Sequence, residues 1–500
     1  MGKTRYVIAL DQGTTSSRAV LVNRRGRIVA SVSRPFRQIY PKPGWVEHDP
    51  TDILSSQLGA LTELLVSNDL TPSDVECIGI ANQRETTLVW DRATGRPVCN
   101  ALVWQCRRTA PVIERVCGDG RVAADVRART GLIPDAYFSA SKIAWILDNV
   151  PGARERARAG ELAFGTVDSW LAWSLTGGRA HVTDVTNASR TMLYNIHEGR
   201  WDQTLLDLFD IPSSMMPEVL PTSCVFGATA NPSIPLGLPI CSLVGDQQAA
   251  LFGQCCFDAG QAKNTYGTGC FFLLHTGTTP CVSSHNLVTT IAASAPGTRG
   301  TEYALEGSVF VAGALIQWLR DELGLIGSAQ ETEELARSVE DTGGVYIVPA
   351  FTGLGAPWWD PDARGTIQGI TRGTSRAHIV RAALEALAYQ MSDMCAAVQA
   401  DAGRPIEVLN VDGGASANDF LMQFQSDILG IELRRPRCVE STALGAAYLA
   451  GLATGFWGGT DELRDLRDDD DVFLPRMDEG RVRKLLAGWA EAVRRTRSDL

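Results

Sequence analysis

Short apolar runs separated by polar turns open the chain. Tyr6–Leu10 is apolar, Asp11–Ser17 has the glycine and hydroxyls of a turn, and Arg18–Val22 is mostly apolar again. Asn23–Gly26 is a second turn, followed by Arg27–Val32. This spacing predicts an antiparallel meander, not a strand that feeds a helix. A related arrangement returns near mid-chain, where Gln261–Tyr266, the turn Gly267-Thr268-Gly269 and Cys270–Leu274 follow one another. Two such hairpins predict a duplicated domain, each copy starting with one. Cys77–Ala81 and Val408–Val411 predict strands, and Ser141–Asn149, Gly313–Leu323, Ser375–Gln399 and Ser441–Leu452 predict helices. In the third helix Ile379, Ala383, Ala386, Leu387 and Gln390 share one face. The mixture indicates an α/β architecture. Asp468–Asp471 predicts a solvated loop, and Val482, Leu485, Leu486, Trp489 and Val493 form one stripe of a docked terminal helix.

With 500 residues the chain exceeds what one hydrophobic core usually serves, so two large domains are expected. The composition, 45% apolar and 21% charged, excludes disorder, collagen and coiled coil as whole-chain readings. No run of about eighteen apolar residues predicts a membrane span, and Met1–Leu10 lacks the features of a signal peptide. The net charge is −11 and no basic stripe is visible, so a nucleic-acid partner is not expected. The twelve cysteines include no CxxC pair and the six histidines do not sit near them at zinc spacing, which favours reduced thiols in a cytoplasmic protein.

The common phosphate-binding devices are missing. None of the five lysines stands in a GxxxxGK[ST] loop, and no GxGxxG occurs. Asp11-Gln12-Gly13-Thr14-Thr15-Ser16 offers another scheme: a strand-end carboxylate able to hold hydrated magnesium, then a glycine turn and three hydroxyls facing an anion. The same hexapeptide also reads as an ordinary polar turn; the second turn, at Thr268, favours the phosphate reading. Asp412–Asn418 joins a strand to a helix, with glycines that let a flat ligand approach and an asparagine for a base or ribose, or simply a helix cap. Gly313 and Gln317 lie on one face of Phe310–Leu319, as a nucleotide floor or a helix-packing contact. Arg84 and Glu85 follow a strand signal, where adjacent side chains diverge, and suit a small polyol: Arg donates to hydroxyl oxygens and Glu accepts their protons. A surface turn is the alternative. Asp246, after Cys241–Val244, caps a helix or acts as base on an incoming hydroxyl.

Together these segments resemble the FGGY carbohydrate kinase family, over about residues 5–455. Two long family patterns are present, Tyr137-Phe-Ser-x-x-Lys142-Ile-x-Trp145-Ile-x-Asp-Asn149 and Gly365-x-Ile-x-Gly369-Ile370 running to Glu385. Gly44–Asp49, Gln83–Thr87, Phe164–Asp168, Thr186–Met192 and Gly245–Gly253 match the members that act on glycerol. The resemblance implies an α/β fold of two ribonuclease-H-like, actin-type ATPase domains flanking a deep interdomain cleft. It divides the chain into 1–253, with the glycerol site and phosphate hairpin, and 254–500, with the adenine nucleotide site and C-terminal helix. It implies ATP-dependent phosphorylation of glycerol to sn-glycerol 3-phosphate, with ATP and Mg2+. Thr14, Thr15, Ser16 and Arg18 would contact phosphates, with Thr268 from the second domain, while Gly313, Gln317, Gly414 and Asn418 would line the adenosine site. Arg84, Glu85, Tyr137, Asp246 and Gln247 would hold the glycerol hydroxyls, and Trp104 and Phe271 would wall its carbon face. Asp246 would be the base, and Asp11 and Asp246 would lie near magnesium. A homodimer or homotetramer is implied, without nucleic acid or membrane insertion. The stretch Gly227–Gly237 has no basic residue, so the fructose 1,6-bisphosphate control of some bacterial members is not expected here. Rival readings are a family kinase for another small polyol or sugar, and a non-catalytic actin/Hsp70-like ATPase.

Overall fold

The computed structural model describes residues 5–498 apart from 310, 359, 361, 468 and 469. The chain forms two compact units. One comprises Met1–Phe257, Thr289–Tyr303 and Ser441–Arg467; the other comprises Asp258–Val288, Ala304–Glu440 and Asp468–Leu500.

The first unit is built on a six-stranded sheet in the order Ser223–Ala228, Pro239–Gly245, Val75–Asn82, Tyr6–Gln12, Ser16–Val22 and Ile28–Pro35. The expected N-terminal meander is present: the last three strands are antiparallel neighbours, with Leu10 opposite Ala19 and Ala19 opposite Val32. Tyr6–Gln12, Val75–Asn82 and Pro239–Gly245 run parallel. Side chains alternate across a sheet, and Ile8, Leu10, Ile78 and Ile80 share one core with Ile53, Leu61 and Leu64 of the helix Pro50–Ser67. On the other face Gly79 admits the helix Ser441–Thr454, because a Cβ there would lie 2.2 Å from the Ala446 carbonyl oxygen. Ser242 Oγ donates to that same oxygen at 2.8 Å. Thus a helix late in the chain completes the core of the first unit.

The second unit repeats this plan. Six neighbouring strands of its seven-stranded sheet lie in the order Tyr303–Val309, Cys270–Gly277, Ala262–Tyr266, Val408–Gly413, Glu432–Arg435 and Asp471–Phe473. The expected second hairpin is antiparallel, with Asn264 opposite Phe272, and Ala262–Tyr266 pairs in parallel with Val408–Gly413. As in the first unit, a parallel and then an antiparallel neighbour follow. The long helix Arg376–Ala402 crosses its core, and Trp489 and Val493 of the terminal helix Glu479–Thr496 are buried in the same cluster. Of the acidic run expected to form a loop, Asp468 and Asp469 lie outside the described residues, and Asp471 instead opens a short strand. The duplication read from the two hairpins is therefore structural: strand order and the paired directions recur, as in ribonuclease-H-like folds.

Candidate active site

Three parallel strands of the first unit end level with one another: Gln12 is opposite Asn82, and Asn82 is opposite Gly245. The chain leaves them through the hairpin turn at Gly13, the segment Gln83–Thr87 and the helix Asp246–Gly253. Open α/β sheets bind their ligands just beyond such strand ends. Three segments singled out in the sequence therefore meet on one edge.

Arg84 Nε stands 3.3 Å from Asp246 Oδ1, and Arg84 Nη1 donates to Gln248 Oε1 at 3.1 Å. The same Nε is 3.9 Å from Glu85 Oε1. Glu85 adopts a positive φ of 61°, a conformation that non-glycine residues enter at a cost. Its carbonyl is held there by the hydroxyls of Thr87 and Ser139, at 3.0 and 3.1 Å. The strain turns Glu85 and Arg84 into the same buried site. Trp104 Nε1 donates to Thr14 Oγ1 at 3.0 Å, and its ring meets Tyr137 edge-on at 5.5 Å. Gln247 donates its backbone N–H to Asp246 Oδ1 at 2.8 Å. Thr14, Trp104, Tyr137, Arg84, Glu85, Asp246 and Gln247 thus belong to one neighbourhood. Asp11 faces Arg18 across the antiparallel pair, and Thr15 and Ser16 complete the turn. The turn is tied to the neighbouring strand end: Gln83 N donates to Gln12 O at 2.8 Å, and Gln83 Nε2 donates to Gly13 O at 3.0 Å.

Tyr137 sits in a turn clamped by a lysine. Lys142 Nζ, fully buried, donates to the carbonyls of Ala136 and Tyr137 at 2.6 Å and of Phe138 at 3.3 Å. Burial pulls its ammonium down to about 7, yet three carbonyls on one nitrogen call for three N–H donors.

In the second unit a cavity of about 510 Å³ is lined by Thr268, Gly313, Gln317, Gly414 and Asn418 together. A Cβ on Gly313 would lie 2.6 Å from the Gly267 carbonyl oxygen, so the helix Gly313–Asp321 starts directly against the hairpin turn. Gly413, at φ 85°, lies where a Cβ would strike the Tyr266 backbone, which leaves the following turn open toward the cavity. Asn418 also caps the next helix, its Oδ1 accepting from Leu421 N at 2.9 Å while Nδ2 donates to Thr332 Oγ1 at 3.1 Å. Asn418 thus both caps a helix and lines the cavity. Phe271 stands half-buried in the strand Cys270–Gly277 of this unit.

Residues 6–253 match the N-terminal domain of the FGGY family of carbohydrate kinases, and residues 262–454 match its C-terminal domain. The chain belongs to that family. Among FGGY kinases it is 57% identical over 495 residues to a glycerol kinase of Shewanella amazonensis, covering 99% of each chain. It is 58% identical to one from Carboxydothermus hydrogenoformans, covering 99% of this chain and 98% of the other. Its fold superposes on a Plasmodium falciparum glycerol kinase crystallised with ADP at a TM-score of 0.93, with 38% identity and 99% of both chains covered. A gluconate kinase from Lactobacillus acidophilus shares the fold at TM-score 0.86 and 22% identity, covering 98% of this chain and 97% of the other.

Among the described residues no three His, Cys, Asp or Glu side chains gather as a ready metal cage. A magnesium ion needs no such cage, since it takes one or two carboxylates and fills its shell with water and phosphate oxygens; Asp11, in the strand Tyr6–Gln12, and Asp246, directly after Pro239–Gly245, are carboxylates of that kind. Sequence reasoning assigned no role to Gln248, Ser139 or Arg190, although all three lie in segments quoted for the resemblance. An arginine in Thr186–Met192, with no acidic neighbour in that stretch, was the available signal: a charge among residues that pack inward must find a distant partner.

Proposed function

We propose that this FGGY kinase transfers the γ-phosphoryl group of ATP to glycerol, forming sn-glycerol 3-phosphate in glycerol catabolism. The observation that carries the reading is the Arg84–Asp246 contact at 3.3 Å beside Glu85, in a chain 57% identical along its length to a glycerol kinase. Phosphoryl transfer asks mainly for positioning and charge neutralisation. Asp246 takes the proton of the terminal hydroxyl as its oxygen bonds to the γ-phosphorus and the bridging bond to ADP breaks. Arg84 donates to hydroxyl oxygens, Glu85 accepts hydroxyl protons, and Tyr137 and Gln247 complete the polar contacts. Trp104 covers the carbon chain.

Thr14, Thr15, Ser16 and Arg18 of the first unit receive phosphates, and Thr268 of the second unit lines the nucleotide cavity. Gly313, Gln317, Gly414 and Asn418 receive adenosine, a role supported by the cavity they share. Asp11 and Asp246 would hold magnesium, which offsets charge on the β- and γ-phosphates when bound. In this division 1–253 carries the polyol site and phosphate hairpin, and 254–500 the adenine nucleotide site. The protein acts in the cytoplasm, in keeping with cysteines in thiol form, as a homodimer or homotetramer.

Purified protein with magnesium, ATP and glycerol is expected to release ADP and sn-glycerol 3-phosphate in equal amounts. A panel of tetritols, pentoses and gluconate should react far more slowly. A pentose turned over faster than glycerol, or ATP hydrolysis indifferent to every polyol, would overturn the assignment.

A further inference from the structure

Arg190 is buried and donates from Nε to Glu85 Oε1 at 2.6 Å, with both side chains 1% exposed. It is the closer of the two guanidinium groups to that carboxylate, since Arg84 Nε stands 3.9 Å away and lies nearer Asp246 at 3.3 Å. Lys142, another buried cation of this region, is committed to three backbone carbonyls. The Arg190 guanidinium also packs over the rings of Tyr137 and Phe138, 5.6 and 5.2 Å from their centroids. One cation therefore reaches two residues of the polyol site from behind.

Its own position is braced. Asp184 caps the short helix Val185–Ala188 that precedes it, accepting from Thr186 N and Asn187 N at 2.9 Å each. Asn187 Nδ2 donates to Asn82 Oδ1 at 3.0 Å, at the end of the strand that leads to Arg84. Thr186 Oγ1 accepts from Gly245 N at 2.9 Å, directly before Asp246. The segment 184–190 thus ties together the strand ends that carry the polyol grip and the base.

We infer that Arg190 is a positioning residue for the acceptor substrate, fixing the Glu85 carboxylate and the Tyr137 ring so that a polyol hydroxyl meets its partner without rearrangement. The inference rests on the polyol reading of this site. A buried carboxylate that loses its hydrogen-bonded cation must find another partner or turn away; either change weakens hold of the polyol and leaves the nucleotide site alone.

Steady-state kinetics of this chain test this with Arg190→Met, Arg190→Lys, Glu85→Gln and the double variant Arg190→Met/Glu85→Gln. Arg190→Met is expected to raise the glycerol KM about ten- to hundredfold, with the ATP KM changed less than about twofold. Arg190→Lys, which keeps the charge, recovers part of the loss. The double variant should lose less than the losses of Arg190→Met and Glu85→Gln combined, because Arg190 acts in part through Glu85. A parent-like glycerol KM in Arg190→Met, equal rises for both substrates, or fully additive losses would overturn the inference. If Arg190→Met does not fold, Arg190→Lys decides by the same KM comparison. Failure of the parent protein to phosphorylate glycerol while it binds ADP would instead strike the polyol reading.

Discussion

Arg84 Nε and Asp246 Oδ1 lie 3.3 Å apart, the arginine sealed from solvent and the carboxylate 29% exposed. The contact joins the ends of two adjacent parallel strands and leaves the carboxylate open to an incoming hydroxyl. Asp246→Asn keeps the shape and an oxygen toward Arg84 but cannot take a proton. Turnover is expected to fall about 10²–10⁴-fold with the thermal transition and ADP affinity kept. Near-normal turnover in a folded variant would refute the base.

Arg84→Ala should separate the two substrates. The guanidinium touches Asp246 and Gln248, both of the first unit, so glycerol kcat/KM is expected to drop about ten- to hundredfold. ADP affinity, read by calorimetry, should stay within about twofold. Matching losses in both would show general disruption instead.

Lys142→Met removes one nitrogen and strands three carbonyls, two of them in buried bonds. Unfolding free energy in urea is expected to fall by about 3 kcal/mol, and glycerol KM should rise because Tyr137 sits in the turn those carbonyls define. Unchanged stability would show that the clamp contributes nothing.

A pH dependence follows from Asp168. Burial first, and the Asp184 carboxylate second, push its carboxyl up to about 7, against the hydroxyls of Thr166 and Thr183. The folded chain keeps a proton that the unfolded chain, with the ordinary carboxyl value of 3.8, gives up. Stability is therefore lost as pH rises from about 4 to about 7 and levels off above. Asp168→Asn is neutral throughout, so its stability relative to the parent should improve by roughly 2–4 kcal/mol across that window. Denaturation curves at several pH values measure it, and a constant difference would reject the raised carboxyl.

Gly313→Ala places a methyl 2.6 Å from the Gly267 carbonyl oxygen. Backbone must yield there, moving the turn that presents Thr268 to the cavity. ADP affinity is expected to fall about tenfold, with little change in glycerol KM at saturating ATP. Parent-like ADP binding would show that the turn can shift without loss.

Both hairpins were legible because strand and turn signals are local: apolar runs of β-forming residues flank glycine and hydroxyls that can only turn. The helix Glu479–Thr496 was legible for the same reason, its stripe recurring at helical period. The cluster of Arg84, Glu85 and Asp246 was legible in part. Arg84 next to Glu85 is an odd pair for a strand end, and Asp246 stands where a strand becomes a helix. What spacing alone could not convey was pairing over distance. That Arg84 leans to Asp246 while Arg190 takes Glu85 depends on which strands lie side by side. That Ser441–Thr454 closes the first unit's core depends on Gly79 meeting Ala446. Charge partners and close backbone approaches are set by three-dimensional packing between segments hundreds of residues apart, and no local pattern along the chain records them.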